Sequence, residues 1–161
     1  MGTIVQGIAA GAALVMFLSG WATTAHADEF VAVIGNERIA LACDGSAMVN
    51  TPCRIGVGSS AEPQPVRFAA QGTRYAHLLK QGVEKVIASK EHPLRPSPSD
   101  IPLLRGLDLD KCHPAETSES LSGDLLQLCI PAESNRVVLF MRGLCDRCDF
   151  EPVVLKKQVA Q

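Results

Sequence analysis

The residues in this chain best suited to chemistry are its six cysteines, Cys43, Cys53, Cys112, Cys129, Cys145 and Cys148. A thiolate can attack a disulfide, ligate a soft metal or be locked into a structural bridge, and spacing is the first guide to which. The Cys145-Asp146-Arg147-Cys148 run is the sharpest signal, because a Cys-x-x-Cys pair can form and exchange a disulfide within one turn. Cys112-His113 could add sulfur and nitrogen ligands for zinc or copper. That set is weak, because there is no second Cys-x-x-Cys pair and thiolates must stay reduced to bind metal. Apart from His26, the histidines are His77, His92 and His113, and they form no close set. His77 lies in a helical pattern, while His92 and His113 sit beside Pro93 and Pro114. Asp108, Asp110 and Asp124 show no spacing that singles out an acid–base pair. There is no Gly-rich phosphate loop, no Gly-x-Ser-x-Gly and no His-Glu-x-x-His.

The Cys145–Cys148 segment, reached by an apolar strand from Val137 and followed by Pro152, resembles the start of a thioredoxin-type active site. The resemblance implies that Cys145 is the attacking thiolate and Cys148 the resolving one, with Arg147 adding positive charge. It covers only about 20 residues, and the short stretch from Asp149 to Gln161 leaves no room for the strands and helix such a core places downstream. The plainer reading is a structural disulfide across a tight corner.

Met1 to Ala27 contains no Asp, Glu, Lys or Arg, and Ile4 to Trp21 is a nearly continuous run of apolar and small residues. Ala25-His26-Ala27 fits a small-x-small cleavage site and charge begins at once with Asp28 and Glu29, so a secretory signal over residues 1–27 is expected. The competing reading is an uncleaved anchor, since the apolar run approaches the length that spans a bilayer. With cleavage, residues 28–161 form a single exported domain, periplasmic or secreted, with no membrane span left. An even cysteine count behind a signal implies three disulfides in an oxidising compartment. Six cysteines allow 15 pairings. The simplest is nearest-neighbour: Cys43 with Cys53, Cys112 with Cys129, Cys145 with Cys148. Each such bridge would contribute roughly 2 to 3 kcal/mol on the chain-entropy model.

All 17 acids and 15 bases fall after Ala27, so the expected domain keeps the net charge of −2. That balance, with few aromatics, gives neither the basic footprint nor the stacking platform of a nucleic-acid binder.

These groups must be positioned by the elements around them. Arg136 to Lys157 is the strongest: Val137, Leu139 and Met141 share one face of an extended chain and Val138, Phe140 and Arg142 the other, so this strand is expected at the centre of a sheet. Phe150, Val153, Val154 and Leu155 resume the apolar character beyond the cysteine corner. Phe30–Ile34 and Glu37–Ala42 flank Gly35-Asn36, a type II′ hairpin signal. Turn residues from Asp44 to Pro52 then lead to a strand over Arg54–Val57, and Val66–Ala70 is a further short strand. Tyr75, Leu78, Leu79, Val83, Val86 and Ile87 recur at helical spacing, which predicts a helix from about Thr73 to Ser89 with Thr73 as N-cap. Pro93, Pro96, Pro98 and Pro102 predict a proline-rich loop over about 91–102. An edge strand is expected over Leu103–Leu109, a polar connection over Asp110–Gly123 and a better strand over Asp124–Ile130.

The expected fold is α+β: a small antiparallel sheet, strongest in a C-terminal meander, covered by one amphipathic helix and stabilised by disulfides. The expected function is a non-enzymatic binding module that acts on another exported or envelope protein through rigidly held loops, with no cofactor. The alternative is a thiol–disulfide exchange protein using Cys145 and Cys148, and a metal carrier ranks third.

Overall fold

A computed structural model of the chain describes residues 28–58, 62–116, 125–133, 135–143 and 147–159. The expected signal segment, Cys145, Asp146 and Asp124 lie outside the described residues.

Eight strands close into an antiparallel barrel in chain order. They are β1 (Glu29–Ile34), β2 (Glu37–Cys43), β3 (Cys53–Val57), β4 (Gln64–Phe68), β5 (His113–Glu116), β6 (Leu126–Cys129), β7 (Arg136–Arg142) and β8 (Phe150–Lys157). The predicted hairpin forms in register, with Ile34 opposite Glu37 and Gly35 at φ 60° between them. That positive φ at the first loop position costs glycine nothing. The C-terminal meander β6-β7-β8 also forms.

The α+β expectation is wrong in its architecture. The sheet is not open: β8 returns to β1, with Phe30 opposite Lys157 and Val31 opposite Lys156, and β4 pairs with β5. Alternation along a strand reports which of its faces are apolar, but it does not say whether the two edges of a sheet meet. An eight-stranded barrel has an interior just wide enough for side chains to fill. Here Phe30, Leu41, Phe68, Leu128, Leu139 and Leu155 belong to the buried cluster that fills it.

The two apolar faces of β7 serve two cores. Val137 and Leu139 point into the barrel, while Val138 and Phe140 belong to a second cluster on its outer wall. That outer core is capped by the excursion between β4 and β5, which carries α1 (Ala76–Ala88), α2 (Ile101–Arg105) and a 3-10 turn at Leu109–Lys111. Leu79, Gly82, Val83 and Val86 are the buried stripe of α1, and Lys80 and Glu84 face solvent, as the period predicts. The helix starts later than expected. Its N-cap position is Tyr75, whose N–H donates to Thr73 Oγ1 at 3.0 Å, so Thr73 closes a turn before the helix instead of capping it. At Gly82 a Cβ would collide with the carbonyl oxygen of Phe150, so the glycine lets α1 lie directly on the β8 backbone.

Two further expectations are corrected. The edge strand over Leu103–Leu109 is instead α2 and the 3-10 turn, because Leu103, Leu104 and Leu107 all reach the outer core and Pro102 suits a first helical turn. The polar connection from Asp110 contains β5, only four residues long and interrupted by Pro114, too short for its pattern to register. It has two register pairs on each side, so the missing N–H costs little ladder.

Candidate binding groove

β1, six residues long, and β8, eight residues long, are joined over only part of their length. Their ladder comprises two pairs, at Phe30 and Val31, and among the described residues Ala32–Ile34 have a strand neighbour only on the β2 side. Within β1 the side chains alternate: Phe30, Ala32 and Ile34 pack against the barrel core, which leaves Val31 and Val33 outward. Val33 is 70% exposed. On the other bank, Pro152, Val154 and Lys156 lie on the outward phase of β8.

The proline-rich stretch lies along this seam. His92, Leu94 and Pro96 are half-buried while Pro93, Arg95 and Ser97 are exposed, the alternation of an extended segment. Leu94 reaches the barrel core. The segment fills the seam through side chains and forms no strand of its own, since Pro93 and Pro96 have no N–H to give to a ladder. The result is a groove of about 290 Å³ with Val31, Val33, Pro93, Pro96, Val154 and Lys156 among its lining.

Both ends of this strap are anchored. At the first, His92 Nδ1 accepts the N–H of Leu94 at 3.1 Å, which leaves Nε2 to carry the proton and to donate to Glu151 Oε1 of β8 at 3.1 Å. This contact is therefore a hydrogen bond from a neutral ring. At the second, the buried Asp100 accepts from Arg136 Nη1 at 2.9 Å and from Ser97 Oγ at 2.7 Å. Arg136 also donates to Glu133 at 2.7 Å. Hydrogen bonds to Glu133 and then Asp100 hold its guanidinium above the ordinary arginine range. Asp100 and Glu133 thus share one guanidinium. Arg95 and Lys156, which also line the groove, form no ion pair among the described residues.

The residues singled out for chemistry go elsewhere. Cys43 and Cys53 are bonded across directly opposed positions of β2 and β3, inside the barrel. Cys112–Cys129 ties the end of the 3-10 turn to β6 in the outer core. That bond takes the sulfur a metal site would need, and His113 Nδ1 is spent on the carbonyl of Ala69 at 3.0 Å. Cys148 is disulfide-bonded, and its carbonyl accepts from Arg142 Nε at 2.7 Å. After Cys148 the described chain runs into β8 and not into a helix, whereas a thioredoxin-type cysteine pair opens a helix. His77 sits on the exposed side of α1 beside a second, charge-lined cavity shared with α2.

Sequence reasoning located the proline loop but did not read it as part of a site. The available signal was alternation: His92, Leu94 and Pro96 are spaced by two, a strand period inside a segment that prolines bar from a ladder. Comparison with protein-family models, with curated proteins and with solved structures found no match.

Proposed function

We propose that this protein is a non-enzymatic, disulfide-held binding module of the periplasm or extracellular space, which receives another exported or envelope protein in the groove between β1 and β8. The observation that carries this reading is the incomplete seam: a barrel closes to remove edges, and here, among the described residues, no strand pairs with Ala32–Ile34 on the side away from β2, beside the outward Val31 and Val33. The barrel interior is filled by side chains, so the outer groove is the better place for a partner. Two polar anchors hold the strap on the seam before binding, and two disulfides tie the barrel and its cover elsewhere, which lowers the ordering cost of association. Thiol–disulfide exchange is the weaker reading, because the Cys148 corner opens into a strand.

The reading is tested by placing a photo-reactive residue at Val33 and, separately, at Val57, another exposed apolar position, on β3. Adducts in the envelope or secreted fraction from position 33 and not from 57 are expected. Adducts from neither, or equally from both, would sink it. The export component predicts a chain beginning at Asp28, read by intact mass; retention of Met1–Ala27 would favour an anchor.

A further inference from the structure

We propose that the strap is fastened by a proton-sensitive catch at His92, and that protonation of the ring lets Leu94 lift from the barrel core while the Asp100 end stays fixed. This goes beyond the binding reading and does not depend on it, because every group involved belongs to the chain itself. A neutral imidazole has one accepting and one donating nitrogen, whereas the imidazolium has two donors and no acceptor. In the closed strap Nδ1 of His92 is the acceptor and takes the Leu94 N–H at 3.1 Å. Nε2 is the donor, given to Glu151 Oε1 at 3.1 Å. A proton arriving at Nδ1 therefore sets two donors against each other. Turning the ring over does not help, since either nitrogen of the charged ring would present an N–H to the Leu94 amide. The other contact survives, because Glu151 accepts from the charged ring as it did from the neutral one.

The two effects of the added charge differ in size. The Glu151 side chain is 40% exposed, and pairing a charge with so open a carboxylate gains little. The Leu94 amide, on a half-buried residue, loses its acceptor outright, and a covered donor left without one is the larger penalty. Lifting the residue into water relieves it. Among the described residues Glu151 is the one charged partner of the ring. Opposite Glu151 on β7 stands Met141, which carries no charge. From α1, Lys85 is taken by Asp149 at 3.0 Å, just before β8. On the strap, Arg95 Nη1 donates to the Lys90 carbonyl at 3.4 Å, and Lys90 and Glu91 are exposed. The bond from the Arg95 N–H to the His92 carbonyl, 2.9 Å, does not involve the ring and stays in place. At the far end Asp100 is held by Arg136 and Ser97, with no histidine among its partners. Release is therefore confined to the stretch around Leu94, whose side chain packs on the barrel cluster and lines the groove beside Val31 and Val33. The catch is closed while the ring is neutral and opens as pH falls through its titration.

The test follows the full disulfide-bonded chain, isotope-labelled, from about pH 8 to about pH 5, a span that brackets ordinary histidine titration and leaves most carboxylates ionised. Hydrogen-exchange rates, corrected for their intrinsic pH dependence, should show protection of the Leu94 amide falling about tenfold, with the same midpoint as the His92 ring resonances. Cleavage within residues 90–97 should quicken over the same range, while the amides of the paired strands keep their protection. His92→Asn puts an oxygen where Nδ1 stands, able to accept from the amide two residues on but unable to titrate, so the response to pH should vanish wherever the strap then rests. A Leu94 amide equally protected at both ends of the range overturns the catch. So does a midpoint that follows His77 or His113, a pH response that persists in His92→Asn, or a ring that carries its proton on Nδ1 at about pH 8. None of these results bears on the Val33 adduct, which tests the groove separately.

Discussion

His92 holds two bonds with one ring, and each fixes the other. Because Nδ1 accepts from the Leu94 amide, the proton must sit on Nε2, where it meets Glu151. Long-range nitrogen–proton spectra should therefore report the Nε2–H tautomer for His92; a proton found on Nδ1 would contradict the contact. Losing the ring frees one end of the strap, so His92→Ala should speed proteolytic cleavage within residues 90–97 while the barrel amides keep their protection. At the other end Asp100→Ala leaves Arg136 with Glu133 and the Ser99 carbonyl and should have the same local signature. Equal loss of protection across the barrel in both variants would mean that the strap is part of the core and not a separable cover. The types of these residues were plain in the chain. Their pairings were not, because His92 and Glu151, or Asp100 and Arg136, are brought together only when the β4–β5 excursion folds across the seam.

At the scale of the element, α1 was legible almost in full, since its period needs no tertiary information. Leu79→Asp or Val83→Asp should unfold the domain by placing an unpaired charge at a position no more than 3% exposed. Lys80→Ala or Glu84→Ala should change stability by less than about 0.5 kcal/mol; equal tolerance of both faces in denaturant titrations would show the docking to be wrong. Gly82→Ala separates local from tertiary effects. Helix propensity alone favours alanine by about 1 kcal/mol, but the added methyl would run into the backbone oxygen of Phe150, which cannot swing away as a side chain can. The expected outcome is a net loss of about 1 to 3 kcal/mol, as for overpacking, with α1 displaced from β8. A stabilised variant would mean that the helix rides higher on the sheet. The short elements were the ones misread: β5 and α2 are four and five residues long, and a pattern that brief fits either period.

For the whole molecule, closure and cross-linking set the stability. The bridged cysteines are 10 and 17 residues apart, Cys43–Cys53 inside the barrel and Cys112–Cys129 between barrel and cover. Removing either bridge by paired Cys→Ala should cost about 3 kcal/mol on the chain-entropy model, a large part of a typical total of about 5 to 15 kcal/mol. Their burial predicts resistance to the glutathione pool, with potentials below about −300 mV. The bond of Cys148 should behave likewise under the same titration; equilibration at about −120 to −270 mV would revive the exchange reading.

The sequence by itself determined the local periods: a helix with one buried stripe, a β7 strand apolar on both faces, a glycine hairpin and a proline segment that no ladder could include. It also made Cys43 with Cys53 the simplest of the pairings open to six cysteines, and the structure joins them across β2 and β3. Only the tertiary structure decided that β8 meets β1, that the two faces of β7 serve a barrel interior and an outer core, and that the proline segment lies over the remaining gap. The reason is range. Periodicity acts between residues two to four apart, whereas the pairing of Phe30 with Lys157 spans nearly the whole described chain and is selected by the total burial that closure achieves.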